Sequence, residues 1–192
     1  MSIKNTFGRA AGMMAAAVGI VGLSLPSVAS ASTAQPAAAT AEWRLPRAGD
    51  TCAFRTVKTG NYLTAVGGGG RTTDVLHTDA TQIRAWEKFT LIDSGDRAGK
   101  RIRYGIRTST GHYLTAMGGG GRITDVMHSN ATKLRAWEKF TLVPAGRGMY
   151  AIRTINEHYL TAVSGGGRIT DTIHSDATTV REWEKFRIIC SR

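Results

Sequence analysis

Three sets of polar residues recur at fixed spacing and have types that can bind a ligand. Each set follows a glycine-rich segment with the pattern Arg-x-x-Asp-x-x-His. The exposed amides of such a turn, beside a guanidinium, can hold a carboxylate, sulfate or phosphate, whereas a plain hairpin connection is the structural alternative. The candidate ligand-binding residues are the arginine and aspartate of each set: Arg71, Asp74, Arg122, Asp125, Arg168 and Asp171.

The histidines of the three sets raise the question of a metal site. Three imidazoles related by a pseudo-threefold axis can bind a metal ion if they point toward that axis. The commoner role for a histidine at a strand end is a hydrogen bond to a nearby carboxylate or carbonyl. We therefore expect neither a metal nor a cofactor at His77, His128 and His174.

A second recurring pattern, Arg-x-Trp-Glu-Lys-Phe, combines an aromatic with charged residues. An exposed indole is a platform for a sugar ring, but packing against the end of a barrel is the interpretation favoured by the adjacent core strand. The glutamate could act as one carboxylate of a glycosidase, or form an ion pair with the arginine. The residues concerned are Arg84, Arg135, Arg181, Trp86, Trp137, Trp183, Glu87, Glu138 and Glu184.

Both patterns lie inside a unit that occurs three times, at Asn61–Leu91, His112–Leu142 and His158–Ile188. The second copy matches the first at 23 of 31 positions, and the third matches the second at 21 of 31. Such repetition sets the fold. In the first copy, β-prone runs predict strands, with a helical turn or irregular bend at Asp79–Arg84. The predicted strands are Phe54–Val57, Tyr62–Ala65, Thr72–His77 and Lys88–Ile92.

Twelve short strands in three units of four predict an all-β chain with a single β-trefoil. In that fold the first and fourth strands of each unit form a six-stranded barrel, and the second and third form hairpins that cap one end. Solenoids and propellers fit less well, since capping repeats are missing and three blades are too few. The expected domain spans 49–192, with repeats at about 52–93, 103–144 and 150–190.

The two cysteines test this closure. Cys52 shares a strand face with Phe54, and Cys190 shares one with Phe186 and Ile188. A trefoil places these strands side by side, so we expect a disulfide between the two ends of the repeated region. In the chain-entropy account, closing a loop of that length contributes about 5 kcal/mol at most.

The N-terminal segment has the pattern of a secretory signal peptide at 1–31. Lys4 and Arg9 precede an apolar run, and small residues end the segment at Ala31. The run is short for a membrane anchor, the alternative. We expect a flexible leader at 32–48 and an extracellular protein. Without its two basic residues the chain keeps 23 Lys and Arg against 14 Asp and Glu, which favours acidic partners.

The motifs Tyr-Leu-Thr-Ala and Trp-Glu-Lys-Phe-Thr-Leu, separated by a glycine-rich turn, resemble the fascin-like branch of β-trefoil domains. The resemblance covers Cys52 to Cys190. Eukaryotic fascins bundle actin with several such domains. Secreted bacterial proteins with similar domains are usually taken as carbohydrate-binding, so the resemblance implies a secreted glycan-binding module.

The first functional hypothesis is therefore a non-catalytic, lectin-like protein with up to three equivalent sites for a cell-wall or acidic polysaccharide. The alternative is a protein-binding module, such as a protease inhibitor, using the basic insertion Asp93–Arg103 between the first two copies. An enzyme is disfavoured because no Gly-x-Ser-x-Gly occurs and a catalytic centre is normally asymmetric. We expect a monomer that binds neither nucleic acid nor membranes.

Overall fold

The computed structural model describes residues 45–191, which form twelve β-strands and four short 3₁₀ turns. The predicted signal peptide and most of the predicted leader lie outside these residues. No helix in the described part is long and apolar enough to cross a membrane. The strands are β1 Thr51–Thr56, β2 Tyr62–Ala65, β3 Leu76–Ala80, β4 Phe89–Ala98, β5 Arg101–Arg107, β6 Tyr113–Ala116, β7 Met127–Ala131, β8 Lys139–Pro144, β9 Met149–Arg153, β10 Tyr159–Ala162, β11 Ile173–Ala177 and β12 Lys185–Ser191. The 3₁₀ turns are Val66–Gly68, Met117–Gly119, Ala136–Glu138 and Val163–Gly165.

Six of these strands form a closed antiparallel ring. Strand β1 pairs with β4, β4 with β5, β5 with β8, β8 with β9, β9 with β12, and β12 with β1 again. The remaining strands form the hairpins β2–β3, β6–β7 and β10–β11, and each hairpin is joined to the barrel through its first strand. This arrangement is the β-trefoil predicted from the repeats.

The disulfide closes the seam of the barrel. Cys52 and Cys190 are directly paired between β1 and β12, with their Cα atoms 3.9 Å apart, and their sulfur atoms are bonded. In the same register Phe54 pairs with Ile188. The prediction from strand faces is confirmed.

The barrel core follows the two-residue period of its strands. Phe89, Phe140 and Phe186, at equivalent positions of β4, β8 and β12, are 0% exposed, as is Phe54. The rings of Phe54 and Phe89 meet edge to face at 5.6 Å. Three leucines from the capping hairpins belong to the same buried core: Leu63, Leu114 and Leu160.

The third strand of each repeat begins later than predicted. In the first copy it spans Leu76–Ala80 rather than Thr72–His77. The backbone of Asp74 is left-handed, with φ 48°, and its counterparts share this conformation. An extended run cannot pass through such a residue, so residues 72–74 form a bend. The fourth strand is longer than predicted, because the insertion extends β4 and β5 into a hairpin.

The glycine-rich segments are the places where one repeat contacts the next. A Cβ atom on Gly69 would collide with the hydroxyl of Thr108, and Gly120 and Gly166 meet Thr154 and Thr56 in the same way. All three glycines also have positive φ. Only glycine meets both demands, so the repeated glycines are explained by packing between repeats.

Candidate functional site

Each repeat presents one tryptophan to solvent, in the loop between its third and fourth strands. Trp86, Trp137 and Trp183 are 49%, 45% and 40% exposed. The prediction that these indoles pack against the barrel end is therefore wrong. Trp86 and Glu87 lie in a turn before β4 rather than in a strand, so the alternation of side chains along β4 does not decide which of the two faces inward.

A buried glutamate holds each tryptophan loop in shape. Glu87 is 5% exposed, and its carboxylate accepts two hydrogen bonds. One comes from the hydroxyl of Thr64, 2.8 Å away, and the other from the backbone N–H of Arg84, 2.7 Å away. The Trp86 carbonyl in turn accepts the N–H of Ala65 at 2.9 Å. The indole is thus presented on a rigid turn.

The other two repeats contain the same carboxylate arrangement. The distances from Glu138 to Thr115 and Arg135 are both 2.8 Å. Those from Glu184 are 2.8 and 2.7 Å, to Thr161 and Arg181. In the described part of the chain none of these glutamates forms an ion pair with the arginine three residues before it, so that expectation is wrong. The three carboxylates are buried, and each is engaged by these two hydrogen bonds.

The glycine–arginine turns use their amides within the protein. The N–H of Gly70 donates to the carbonyl of Ser129 at 2.7 Å, and that of Arg71 to the Ser129 hydroxyl at 3.2 Å. The N–H of Ser129 returns a bond to the Arg71 carbonyl at 2.8 Å. The same bonds link Arg122 to Ser175 and Arg168 to Thr78, which closes a ring through all three repeats. These amides are therefore occupied within the protein, which favours the plain hairpin connection over an anion-binding turn.

The predicted arginine and aspartate side chains form a short polar chain in each repeat. The Nε of Arg71 donates to the Thr73 carbonyl at 3.2 Å, and its guanidinium lies 3.5 Å from the carboxylate of Asp74. The other oxygen of Asp74 is hydrogen-bonded to Nε2 of His77 at 2.6 Å. Arg71 and Asp74 remain 41% and 50% exposed, so both can still contact a ligand. The corresponding contacts in the second and third repeats differ from those in the first by at most about 0.1 Å.

The three aspartates share one cavity on the pseudo-threefold axis, where the hairpins meet. This cavity, of about 610 Å³, has threonine and aspartate walls and an apolar floor that includes Leu76, Met127 and Ile173. Asp74, Asp125 and Asp171 all line it. Two exposed isoleucines, Ile123 and Ile169, stand at its walls where the first repeat has Thr72.

The histidines do not meet on this axis. His77, His128 and His174 each bond to the aspartate of their own repeat. Among residues 45–191 no group of three or more His, Cys, Asp or Glu side chains is close enough to hold a metal ion.

The insertion at Asp93–Arg103 is an ordered hairpin. Arg97 pairs with Ile102 and Ala98 with Arg101, which leaves a two-residue turn. A 2.8 Å salt bridge from Asp96 to Lys139 fastens the hairpin to β8, and this hydrogen-bonded ammonium lowers the pKa of Asp96. A protease-inhibiting loop needs an extended, unpaired backbone, so this geometry does not favour that alternative.

Comparison with known proteins shows the fold but no family. No protein-family model matches the chain. No curated protein matches it either. Structural similarity is found with several β-trefoil proteins, and the chain is a β-trefoil protein.

Three of the similar structures illustrate the range. ThreeFoil, a designed threefold-symmetric protein, is 12% identical with a TM-score of 0.60, over 72% of this chain and 97% of that one. The Rhizoctonia solani agglutinin is 14% identical with a TM-score of 0.60, over 77% and 99%. An exo-β-1,3-galactanase from Clostridium thermocellum is 10% identical with a TM-score of 0.61, over 77% of this chain but 31% of the enzyme. At such identities the likeness concerns the fold alone.

Proposed function

We propose that this protein is an exported, non-catalytic glycan-binding protein of the fascin-like β-trefoil type, and that its three tryptophan loops contact the sugar. The observation that carries the proposal is the exposure of all three indoles on turns held by buried glutamates. A sugar ring packs its apolar face on an indole, and hydroxyls at its edge need polar partners. An arginine lies two residues before each indole in the same exposed loop.

The energetic cost of exposing these indoles supports a binding role. A tryptophan buries about 150–250 Å² when it is fully covered. Leaving nearly half of that area in water forgoes about 2–3 kcal/mol per indole at roughly 25 cal/mol per Å². The same chain buries its phenylalanines Phe54, Phe89, Phe140 and Phe186 completely. A ligand that covers the indoles recovers part of this free energy.

Three similar sites on one rigid barrel also suit a polymer ligand. When one site is occupied, the other sites meet neighbouring sugar residues of the same polysaccharide at high effective concentration. Weak binding at single sites therefore adds up to strong retention of the protein on the polymer. The similarity in fold to an agglutinin agrees with this proposal. The signal-peptide pattern and the basic charge favour a ligand outside the cell, such as a cell-wall polysaccharide.

The arginine and aspartate sets remain a second candidate contact surface for the same ligand. Arg71, Arg122 and Arg168 are accessible, and the aspartates line the axial cavity. Two triple variants separate the surfaces. One changes Trp86, Trp137 and Trp183 to Ala, and the other changes the three arginines to Ala.

Retention on insoluble cell-wall polysaccharide is the measurement, with circular dichroism to check folding. We expect the tryptophan variant to lose retention and the arginine variant to keep it. Loss in the arginine variant alone would move the site to the axial surface. If the wild-type protein were retained on no polysaccharide and shifted on no glycan array, the proposed function would be wrong.

A further inference from the structure

The three tryptophan loops have different neighbours at two positions. The first of these positions is occupied by a residue of the next repeat. The turn after the first strand of that repeat lies against the glycine-rich segment beside the indole. A Cβ on Gly68 would lie 3.4 Å from the Trp86 ring and 3.0 Å from the hydroxyl of Ser109. The counterparts of Ser109 are Ile155, beside Gly119, and Lys58, beside Gly165. The flank is therefore a hydroxyl at the first junction, an isoleucine beside the Asn156 amide at the second, and a cation at the third.

At the junction between the third and first repeats, the cation stands next to the indole. The Nζ atom of Lys58 lies 5.6 Å from the centroid of the Trp183 ring. The stem of Lys58 packs on Gly165, where an added Cβ would come within 2.7 Å of it. A cation at this distance is attracted by the ring. Lys58 lies over the ring, and Trp183 nevertheless stays 40% exposed, so a ligand can reach the part of the indole that Lys58 leaves uncovered.

The second variable position directly precedes the tryptophan. In the first repeat, Ala85 lines a cavity of about 360 Å³ together with Arg84, Trp86 and Glu87. The second repeat also has alanine here, whereas the third has the exposed Glu182. The pseudo-threefold symmetry thus places a carboxylate-bearing residue at the equivalent wall of the third site.

We propose that the Trp183 loop is the dominant glycan site, that Lys58 and Glu182 make it so, and that it takes a neutral sugar ring. This inference rests on the proposed function. An ammonium only donates hydrogen bonds and a carboxylate only accepts them, while each sugar hydroxyl does both. The pair can therefore satisfy two neighbouring hydroxyls of a ring stacked on Trp183. The other two sites have no carboxylate at this position.

The charges also set the preference for a neutral ring. Glu182 repels an anionic sugar, and its charge offsets one of the two positive charges, those of Lys58 and Arg181, around this indole. A uronic acid would meet opposing effects at this site, whereas hydroxyls meet favourable partners on both sides. Charge-assisted hydrogen bonds are about twice as strong as neutral ones, so one such pair is enough to separate the sites about tenfold in Kd.

The threefold sequence provides matched variants. The substitutions Lys58→Ser and Glu182→Ala give the third site the residues of the first. The reciprocal pair, Ser109→Lys and Ala85→Glu, gives the first site the residues of the third. All four positions lie in surface turns, and thermal melting checks that each variant folds.

Indole N–H resonances measure the sites separately, after assignment with single Trp→Phe variants. The full chain is titrated with cello-, galacto- and N-acetylchito-tetraose as neutral probes and with tetragalacturonate as the acidic probe. We expect the Trp183 resonance to respond to a neutral probe with a Kd about tenfold lower than those of Trp86 and Trp137. The first double variant should abolish this difference, and the reciprocal variant should strengthen the Trp86 response about tenfold.

The outcomes separate the two proposals. Equal Kd values at the three indoles, or an unchanged Trp183 response after the Lys58 and Glu182 substitutions, would overturn the inference while leaving the proposed function standing. Preference of Trp183 for tetragalacturonate would overturn the neutral-sugar assignment. If no indole responded to any probe and no polysaccharide retained the protein, both proposals would fail.

Discussion

Replacing the buried glutamate of a tryptophan loop should produce two very different losses of stability, depending on the new side chain. In the wild-type protein, the Glu87 carboxylate accepts bonds of 2.8 Å from the Thr64 hydroxyl and 2.7 Å from the Arg84 N–H. Hydrogen bonds to charged groups contribute about 1.5–3 kcal/mol each. Glu87→Ala removes both acceptors, so we expect a loss of about 3–6 kcal/mol.

Glu87→Gln should be much milder. The amide oxygen can still accept the N–H of Arg84, and the amide nitrogen can donate to the hydroxyl of Thr64, because that hydroxyl accepts as well as donates. Only the charge assistance is lost, which gives an expected cost of about 1–2 kcal/mol. The indole should stay in place, so the Trp86 resonance should keep its response to sugar.

Urea unfolding with the disulfide intact measures both variants, and the repeats supply replicates. Because the bonds at Glu138 and Glu184 match those at Glu87 to within about 0.1 Å, the three Ala variants should agree to within roughly 0.5 kcal/mol. An Ala variant that lost less than about 1 kcal/mol would refute the idea that the carboxylate holds the turn. A Gln variant as unstable as the Ala variant would refute the proposed exchange of hydrogen bonds.

Three further substitutions test the scaffold. Changing Cys52 and Cys190 together to Ser should lower the free energy of unfolding by up to about 5 kcal/mol, since the bond closes a loop with a sequence separation of 138. Urea titration measures this loss, and an unchanged unfolding midpoint would contradict it. Gly69→Ala should cost about 1–3 kcal/mol more than Gly49→Ala, because both residues have positive φ but only Gly69 meets a neighbouring hydroxyl; equal losses would leave only backbone strain as the cause. Burial raises the pKa of Tyr104, so stability should be full below the ordinary tyrosine pKa of about 10 and fall as pH rises through the folded value. Tyr104→Phe should reduce this loss of stability at alkaline pH, and it should cost about 1 kcal/mol at neutral pH because a hydrogen bond is lost. An unchanged dependence of the free energy of unfolding on alkaline pH would show that another group titrates.

The fold could be predicted because three copies of a four-stranded unit, with the first and last strands side by side, form a closed barrel. Phe89, Phe140 and Phe186 recur at equivalent buried positions, and the faces of Cys52 and Cys190 match across the seam. The start of the third strand could not be read in the same way. Asp74 lies in a β-prone run, and residue type alone specifies neither its left-handed backbone nor its side-chain hydrogen bond to His77.

The candidate site was harder to predict because contacts across repeats determine it. The amides of Gly70 and Arg71 looked free in the sequence, yet they pair with Ser129, 58 residues beyond Arg71. Lys58 and Trp183 are separated by most of the domain, and only the closure of the barrel brings them together. The three repeats can be compared residue by residue in the sequence, whereas contacts across a junction depend on how the ring of repeats closes.

Under the proposed function, support of the indole and recognition of the sugar are carried by different parts of the repeat. The glutamate that fixes each indole bonds within its own repeat, and its partners are the same in all three copies. The flanking residue Lys58, Ser109 or Ile155 comes from the next repeat and is not a partner in these glutamate hydrogen bonds. A substitution there can change what surrounds an indole without altering how the indole is held. If the indoles bind sugar as proposed, this separation lets a barrel of three like units carry three unlike sites, and exchanging flanks between junctions should transfer binding strength while leaving stability nearly unchanged.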